Sequence, residues 1–305
     1  MAGFTDLKRT LLYLIPIIGL AACVTTQVNF RFALKKENYK EVDSAERLKT
    51  NETTITSTYF QMEGPAWENQ NIAFRNYFDE RNGMDIFGKK TKNMVLNSVG
   101  IHENYHEMQD WGMDILKVGN SLGAGAIGLI IGDSLFRIGP KAVGSFKKLK
   151  ETKREVVFEL SFKDCKLHGR TYHIQHIISI ASNTHYYNNK VKIEGLQGDE
   201  ILVSGIVAHL PNLTKIHKGH LHGAYTFGRQ TMLDELLGMG ITTDDVIYVN
   251  CTHSDHYKGD IENTHLIEMK LYPGAYTEWN FFAGWEYGST AFKNEAFFKQ
   301  ILEAN

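Results

Sequence analysis

Proline is scarce in this chain, with 5 in 305 residues, and cysteine is scarcer still at 3. So few cysteines cannot staple a disulfide miniprotein, and so little proline rules out a collagen-like fibre. An excess of charge of one sign is also lacking. With 33 Lys and Arg against 35 Asp and Glu the formal net charge is −2, and no global field recruits nucleic acid or an acidic membrane. At 43% hydrophobic and 22% charged, the composition excludes a disordered polymer and a polytopic membrane protein. What remains is a globular chain, long enough for one or two domains and a sizeable core.

The chain opens MAGFTDLKRTLLYLIPIIGLAAC: Lys8 and Arg9, an apolar run over residues 11–22, then a cysteine. That order and length predict a secretory signal peptide over residues 1–22. The run has 12 residues, short of the roughly 20 of a spanning helix. Its ending, Leu20-Ala21-Ala22-Cys23, resembles the lipobox of bacterial lipoproteins. The resemblance implies cleavage before Cys23 and acylation of that residue. With Val24 following instead of Asp, it also implies an outer-membrane address, facing the periplasm or the surface. Three acyl chains would make a stable anchor in the lipid bilayer, since one chain binds only marginally at about 0.8 kcal/mol per buried methylene. Cys165 and Cys251 then remain, an even pair in an oxidising compartment. A disulfide would join them; two buried free thiols are the alternative.

Residues 23–58 are polar, rich in Lys, Glu and Thr, and predict a lipidated tether. Over 59–140 the spacing of Trp67, Phe74, Tyr77 and Phe78 has the period of a helix face, with Arg81-Asn82-Gly83 as its stop. Further helices are expected over 89–109 and 113–136. Residues 141–155 form a basic linker, with Lys141, Lys147, Lys148, Lys150, Lys153 and Arg154 against Glu151, suited to anionic head groups or lipopolysaccharide phosphates. From 156 to 305 β-branched and apolar residues alternate or cluster at 156–162, 171–180, 190–210 and 246–249, and 233–239 and 291–302 look helical. The expected fold is α+β: an N-terminal helical region, then a mostly antiparallel β domain with a few helices.

The stretch ILKVGNSLGAGAIGLIIG, residues 115–132, holds glycines at 119, 123, 125, 128 and 132. As a helix it spans about 27 Å, near the roughly 30 Å of a hydrocarbon core. Gly119-x-x-x-Gly123 and Gly128-x-x-x-Gly132 have the spacing that lets two helices approach closely. The segment resembles the glycine-zipper stretches of envelope lipoproteins, which implies self-association or membrane contact; a buried soluble hairpin is the alternative. Gly123-x-Gly125-x-x-Gly128 also fits the dinucleotide fingerprint, but no strand precedes it and no ribose-binding acid can be placed.

Three fragments suit metals. His102-Glu103-Asn104-Tyr105-His106 fits H-E-x-x-H. On a helix the two histidines share a face and can hold zinc, while Glu103 activates a water. The pattern resembles the zincin peptidases, departing from them in the charged Glu107 and the absent metzincin extension. Asp110, one turn on, is the nearest third ligand, and Glu151, Glu155 and Glu159 are distant ones. Solvent-facing histidines are the alternative. Gly219-His220-Leu221-His222 resembles the last motif of calcineurin-like phosphoesterases, whose earlier blocks are missing. His253, Asp255 and His256 resemble the metallo-β-lactamase signature with one histidine absent. The expected function is therefore a lipid-anchored envelope protein that binds, assembles or works at a membrane. The alternative is a lipid-anchored zinc hydrolase with His102, His106 and Asp110 as ligands and Glu103 as base.

Overall fold

The computed structural model describes residues 27–47, 58–140 and 142–305. Cys23 and the signal segment lie outside them. Among the described residues the chain is nearly all β, with 21 strands and a C-terminal helix, Glu295–Glu303. The expected N-terminal helical region is absent from these residues, which corrects the α+β reading. No helix among them is long and apolar enough to cross a membrane.

A first antiparallel sheet takes five strands in chain order: Val28–Arg31, Ala66–Asn69, Ala73–Asn76, Met84–Lys89 and Gly112–Asp114. A second sheet runs Ser134–Arg137, Ala124–Ile131, Glu200–Val207, Thr264–Lys270 and Tyr248–His253. The third has nine strands. From one edge they are Thr214–Lys218, Leu221–Arg229, Leu236–Asp244, Thr277–Trp285, Tyr186–Glu194, Arg170–Ala181, Glu155–Leu167, Val143–Glu151 and Ser44–Glu46. In Glu155–Leu167 the residues Val156, Phe158, Leu160 and Phe162 are buried while their neighbours are not, the pattern of a strand with one face in the core. The remaining two strands, Ala33–Leu34 and Lys40–Glu41, pair with each other, and the inner face of the nine-stranded sheet receives the two five-stranded sheets. Phe30 stacks on Phe146, Trp67 meets Phe158 and Tyr187, and Phe74 meets Phe281.

The aromatic spacing that suggests a helix comes from a hairpin. Trp67 and Phe74 are direct register partners across the turn joining their strands, so their separation of seven counts residues around a bend. Asn82, at φ 41°, does mark a turn, but one between strands. Residues 90–111 are turns and bends, and the stretch expected to be helical at 233–239 runs into the strand Leu236–Asp244.

The glycine-rich segment is strand as well. Ala124–Ile131 is buried along its whole length, flanked on both sides by strands and covered on both faces, which a continuous apolar run permits as readily as a buried helix. Gly119 and Gly132 sit at turns with φ of 56° and 62°. Gly123, at φ 69°, lies against the Met84 backbone, and Gly128 against Val203 and the Phe136 carbonyl. Helix-to-helix packing through these glycines, and self-association by that route, therefore has no basis. The basic linker is corrected too. Val143–Glu151 is a strand of the nine-stranded sheet, and Lys148 pairs with Glu41, Asp43 and Glu151 at 2.9, 2.8 and 2.8 Å.

A candidate acid–base site on the first sheet

Strand alternation gives the first sheet two different faces. Phe74, Ile86 and Met113 enter the main core, so Arg75, Asp85 and Asp114 occupy the opposite face, as do Glu68 and Lys89. That face is roofed by residues 90–111: Val95, Leu96, Val99 and Trp111 pack on Ala66, Ala73 and Phe87. Glu68 fixes the roof. Its Oε1 accepts from the Val95 and Leu96 amides at 2.8 and 2.9 Å, while its Oε2 takes the Lys89 ammonium at 2.5 Å.

Beneath the roof, Arg75 joins two carboxylates. Its Nη2 lies 2.8 Å from Asp85 Oδ2 and 2.7 Å from Asp114 Oδ2, with all three side chains at most 2% exposed. Nη1 donates to the Tyr105 hydroxyl at 3.1 Å, and the Tyr77 hydroxyl donates to Asp85 Oδ2 at 2.5 Å. Buried charges persist only when paired in this way. One arginine against two carboxylates nevertheless leaves a net negative charge. Burial, then the charge of Asp114, push the Asp85 carboxyl up to about 7, against the pull of Arg75 and the Tyr77 bond.

His106 closes the cluster toward water. Its Nδ1 is 3.2 Å from Asp114 Oδ2, and the ring is 52% exposed. The bond to Asp114 raises the imidazole pKa, outweighing partial burial. An imidazole oriented by a buried carboxylate, with its second nitrogen free of protein partners among the described residues, is an acid–base unit. Asp114 Oδ1 is buried without a hydrogen-bond partner.

The H-E-x-x-H residues separate once helix is replaced by turns. His102 and Asp110 are exposed, and the Glu103 carboxylate accepts from the Trp111 indole at 2.6 Å. Among the described residues no group of three His, Cys, Asp or Glu side chains is arranged to hold a metal ion, so the zinc ligand set His102, His106 and Asp110 does not converge. The structure uses His106 alone of that motif, for a different purpose. Cys165 and Cys251 are free thiols in different sheets, which corrects the disulfide. His220 occupies a hairpin turn and bonds Asp245 at 2.9 Å, and His253 Nδ1 accepts from the Asp255 amide at 3.3 Å. Arg75, Tyr77, Asp85 and Asp114 escaped the sequence reading. For the two acids a signal was nonetheless present: Met84-Asp85-Ile86-Phe87 and Met113-Asp114-Ile115-Leu116 each set one acid inside an apolar run.

Residues 20–305 match the family described as a domain of unknown function, DUF4861. The chain belongs to the DUF4861 family. No curated protein matches it. An α-mannosidase from Enterococcus faecalis V583 is similar in structure at 6% identity and a TM-score of 0.42, over 90% of this chain and 40% of that one. The chain thus spans less than half of the mannosidase, and a likeness of that degree carries no argument.

In this DUF4861 chain a cavity of about 470 Å³ is lined by Lys117, His209, Arg229, Gln230, Thr231 and Met232. The amide of Met232 donates to the carbonyl of Ile115 at 2.9 Å, tying the cavity wall to the residue that follows Asp114. Lys117 is three residues beyond Asp114, a reach of at most about 10 Å. No carboxylate lines this cavity, and Lys117 has no ion-pair partner among the described residues.

Proposed function

We propose that this chain is a lipid-anchored protein of the cell envelope that performs general acid–base chemistry on a small anionic molecule. His106 transfers the proton, Asp114 orients it, and Arg75, Asp85 and Tyr77 support Asp114 from within. The observation that carries the reading is the contact of His106 Nδ1 with a carboxylate that is itself buried and bound to Arg75. Asp114 holds the Nδ1–H tautomer and stabilises the imidazolium, leaving Nε2 to give or take a proton at the surface. Asp85, near neutrality, can gain a proton as His106 loses one, which keeps the buried charge nearly constant. The basic cavity supports an anionic ligand, with Lys117 as its counter-charge beside Arg229, whose guanidinium also meets the Asp234 carboxylate at 3.8 Å. The lipobox at Cys23 supports the anchor.

The full chain in detergent micelles, incubated in heavy water with uronates, sugar phosphates and dicarboxylates, should exchange or convert at least one of them by proton NMR. His106→Gln should lower that rate at least about 100-fold, the usual contribution of acid–base catalysis. Wild-type rates in the variant, or an inert wild type across the panel, would remove the reading. The anchor is tested separately by mass spectrometry: lipid on Cys23 is expected, and an unmodified N-terminus refutes it.

A further inference from the structure

The strand Thr214–Lys218 is an edge of the nine-stranded sheet, joined only to Leu221–Arg229 through the turn Gly219-His220. Edge strands are weakly held, because half their backbone groups lack partners. On this hairpin His217 and His222 are direct register partners. Their Nδ1 atoms lie 3.0 Å apart, and their ring centroids 4.5 Å. Tyr248 packs against both rings, with centroids 5.0 Å from His222 and 6.1 Å from His217. His220 is committed to Asp245.

Two imidazole nitrogens held 2.0–2.1 Å from one ion, at angles between 90° and tetrahedral, must stand roughly 2.9–3.4 Å apart. The measured separation falls in that interval. Without an ion, one nitrogen must carry a proton that the other accepts; with one, both lone pairs turn by about 35–45° to a common point, a rotation open to an exposed His217 and a half-buried His222. We propose that His217 and His222 form a two-imidazole site for a borderline divalent cation, copper(II), nickel or zinc, with water in the remaining positions. The ion closes a ring across the two strands and so pins the edge. Affinity should follow copper above nickel and zinc, as nitrogen donors dictate.

The test titrates the full chain in detergent micelles with each metal ion alone, read by calorimetry and by histidine NMR signals. One equivalent should bind, with broadened or shifted signals at His217 and His222. His217→Ala and His222→Ala should each weaken binding at least about tenfold, and the double variant no more than either single, since one imidazole cannot chelate. His220→Ala should bind as the wild type does. Circular dichroism of each variant checks the fold, and all three side chains lie at the surface. Binding retained in both single variants, no saturable binding at millimolar ion, or a loss equally caused by His220→Ala would overturn the proposal.

Discussion

Tyr187 of the nine-stranded sheet donates its hydroxyl hydrogen to the carbonyl of Ala124 in the second sheet, 2.6 Å away across the core. The approach is possible because Gly125 follows. Its φ is 96°, and a Cβ there would lie 2.8 Å from the Phe281 ring and closer still to the Tyr187 hydroxyl. Gly125→Ala should therefore combine left-handed strain of about 1–2 kcal/mol with overpacking of about 1–3 kcal/mol. Gly132→Ala, at φ 62° with nothing within 4 Å, carries only the strain. Urea unfolding should show Gly125→Ala losing about twice as much stability or more. Equal losses would mean that the sheets move apart freely.

The same glycines explain why half of the fold was hidden in the sequence. Long one-sided strands such as Arg170–Ala181 alternate cleanly, because one face meets water, and their text is unambiguous. Ala124–Ile131 and Met84–Lys89 are buried on both faces, so alternation of burial disappears: the first is an unbroken apolar run, and the second carries Asp85 and Lys89 inside the protein. Trp67 and Phe74 imitate helical spacing because a hairpin returns them to each other. The site was obscured for a related reason. His106 was visible through a motif, but its partner Asp114 comes from a strand that the roof covers, and Arg75 and Asp85 from two more. Only the pairing of strands brings them together.

Lys89 and Glu68 are both fully buried, and Glu68 also accepts two roof amides. Lys89→Met should cost about 3–5 kcal/mol, because it strands a buried carboxylate. Glu68→Gln added to it removes the charge while keeping an acceptor for the amides, and should recover much of that loss. Thermal or chemical unfolding of the two variants decides. A double variant less stable than Lys89→Met would show that the ion pair is not what holds the roof.

Asp114→Asn should leave His106 in place while removing the charge that raises its pKa. Histidine NMR should then find the His106 titration displaced downward toward the ordinary 6.5. The linked effect on stability has a fixed sign. A histidine whose folded pKa lies above its unfolded one contributes stability fully below 6.5, and loses it as pH rises through the folded value. The difference in stability between wild type and His106→Gln should shrink across that window. An unchanged His106 titration in Asp114→Asn would break the dyad.

Asp85 has the largest consequence for pH dependence. Its folded carboxyl titrates near 7 against an ordinary 3.8, because burial and Asp114 oppose its charge more than Arg75 and Tyr77 favour it. A carboxyl with a raised folded pKa behaves opposite to the usual salt-bridged one. The fold binds the proton more tightly than the unfolded chain does, so the contribution is fully present below about 3.8 and is lost as pH climbs toward 7. Asp85→Asn mimics the protonated form at every pH. Near pH 4 wild type and variant should unfold at similar urea concentrations, and the wild type should fall progressively behind as pH rises to 7. Because each is compared with the other at the same pH, titration of groups remote from the buried cluster cancels, and the His106 titration followed by NMR in both proteins accounts for the group that senses the Asp85 charge. A difference that stays flat from pH 4 to 7 would mean that Asp85 keeps the same protonation state in both folded and unfolded chains. The buried cluster would then carry its negative charge unrelieved, and the proton exchange between Asp85 and His106 would have no basis.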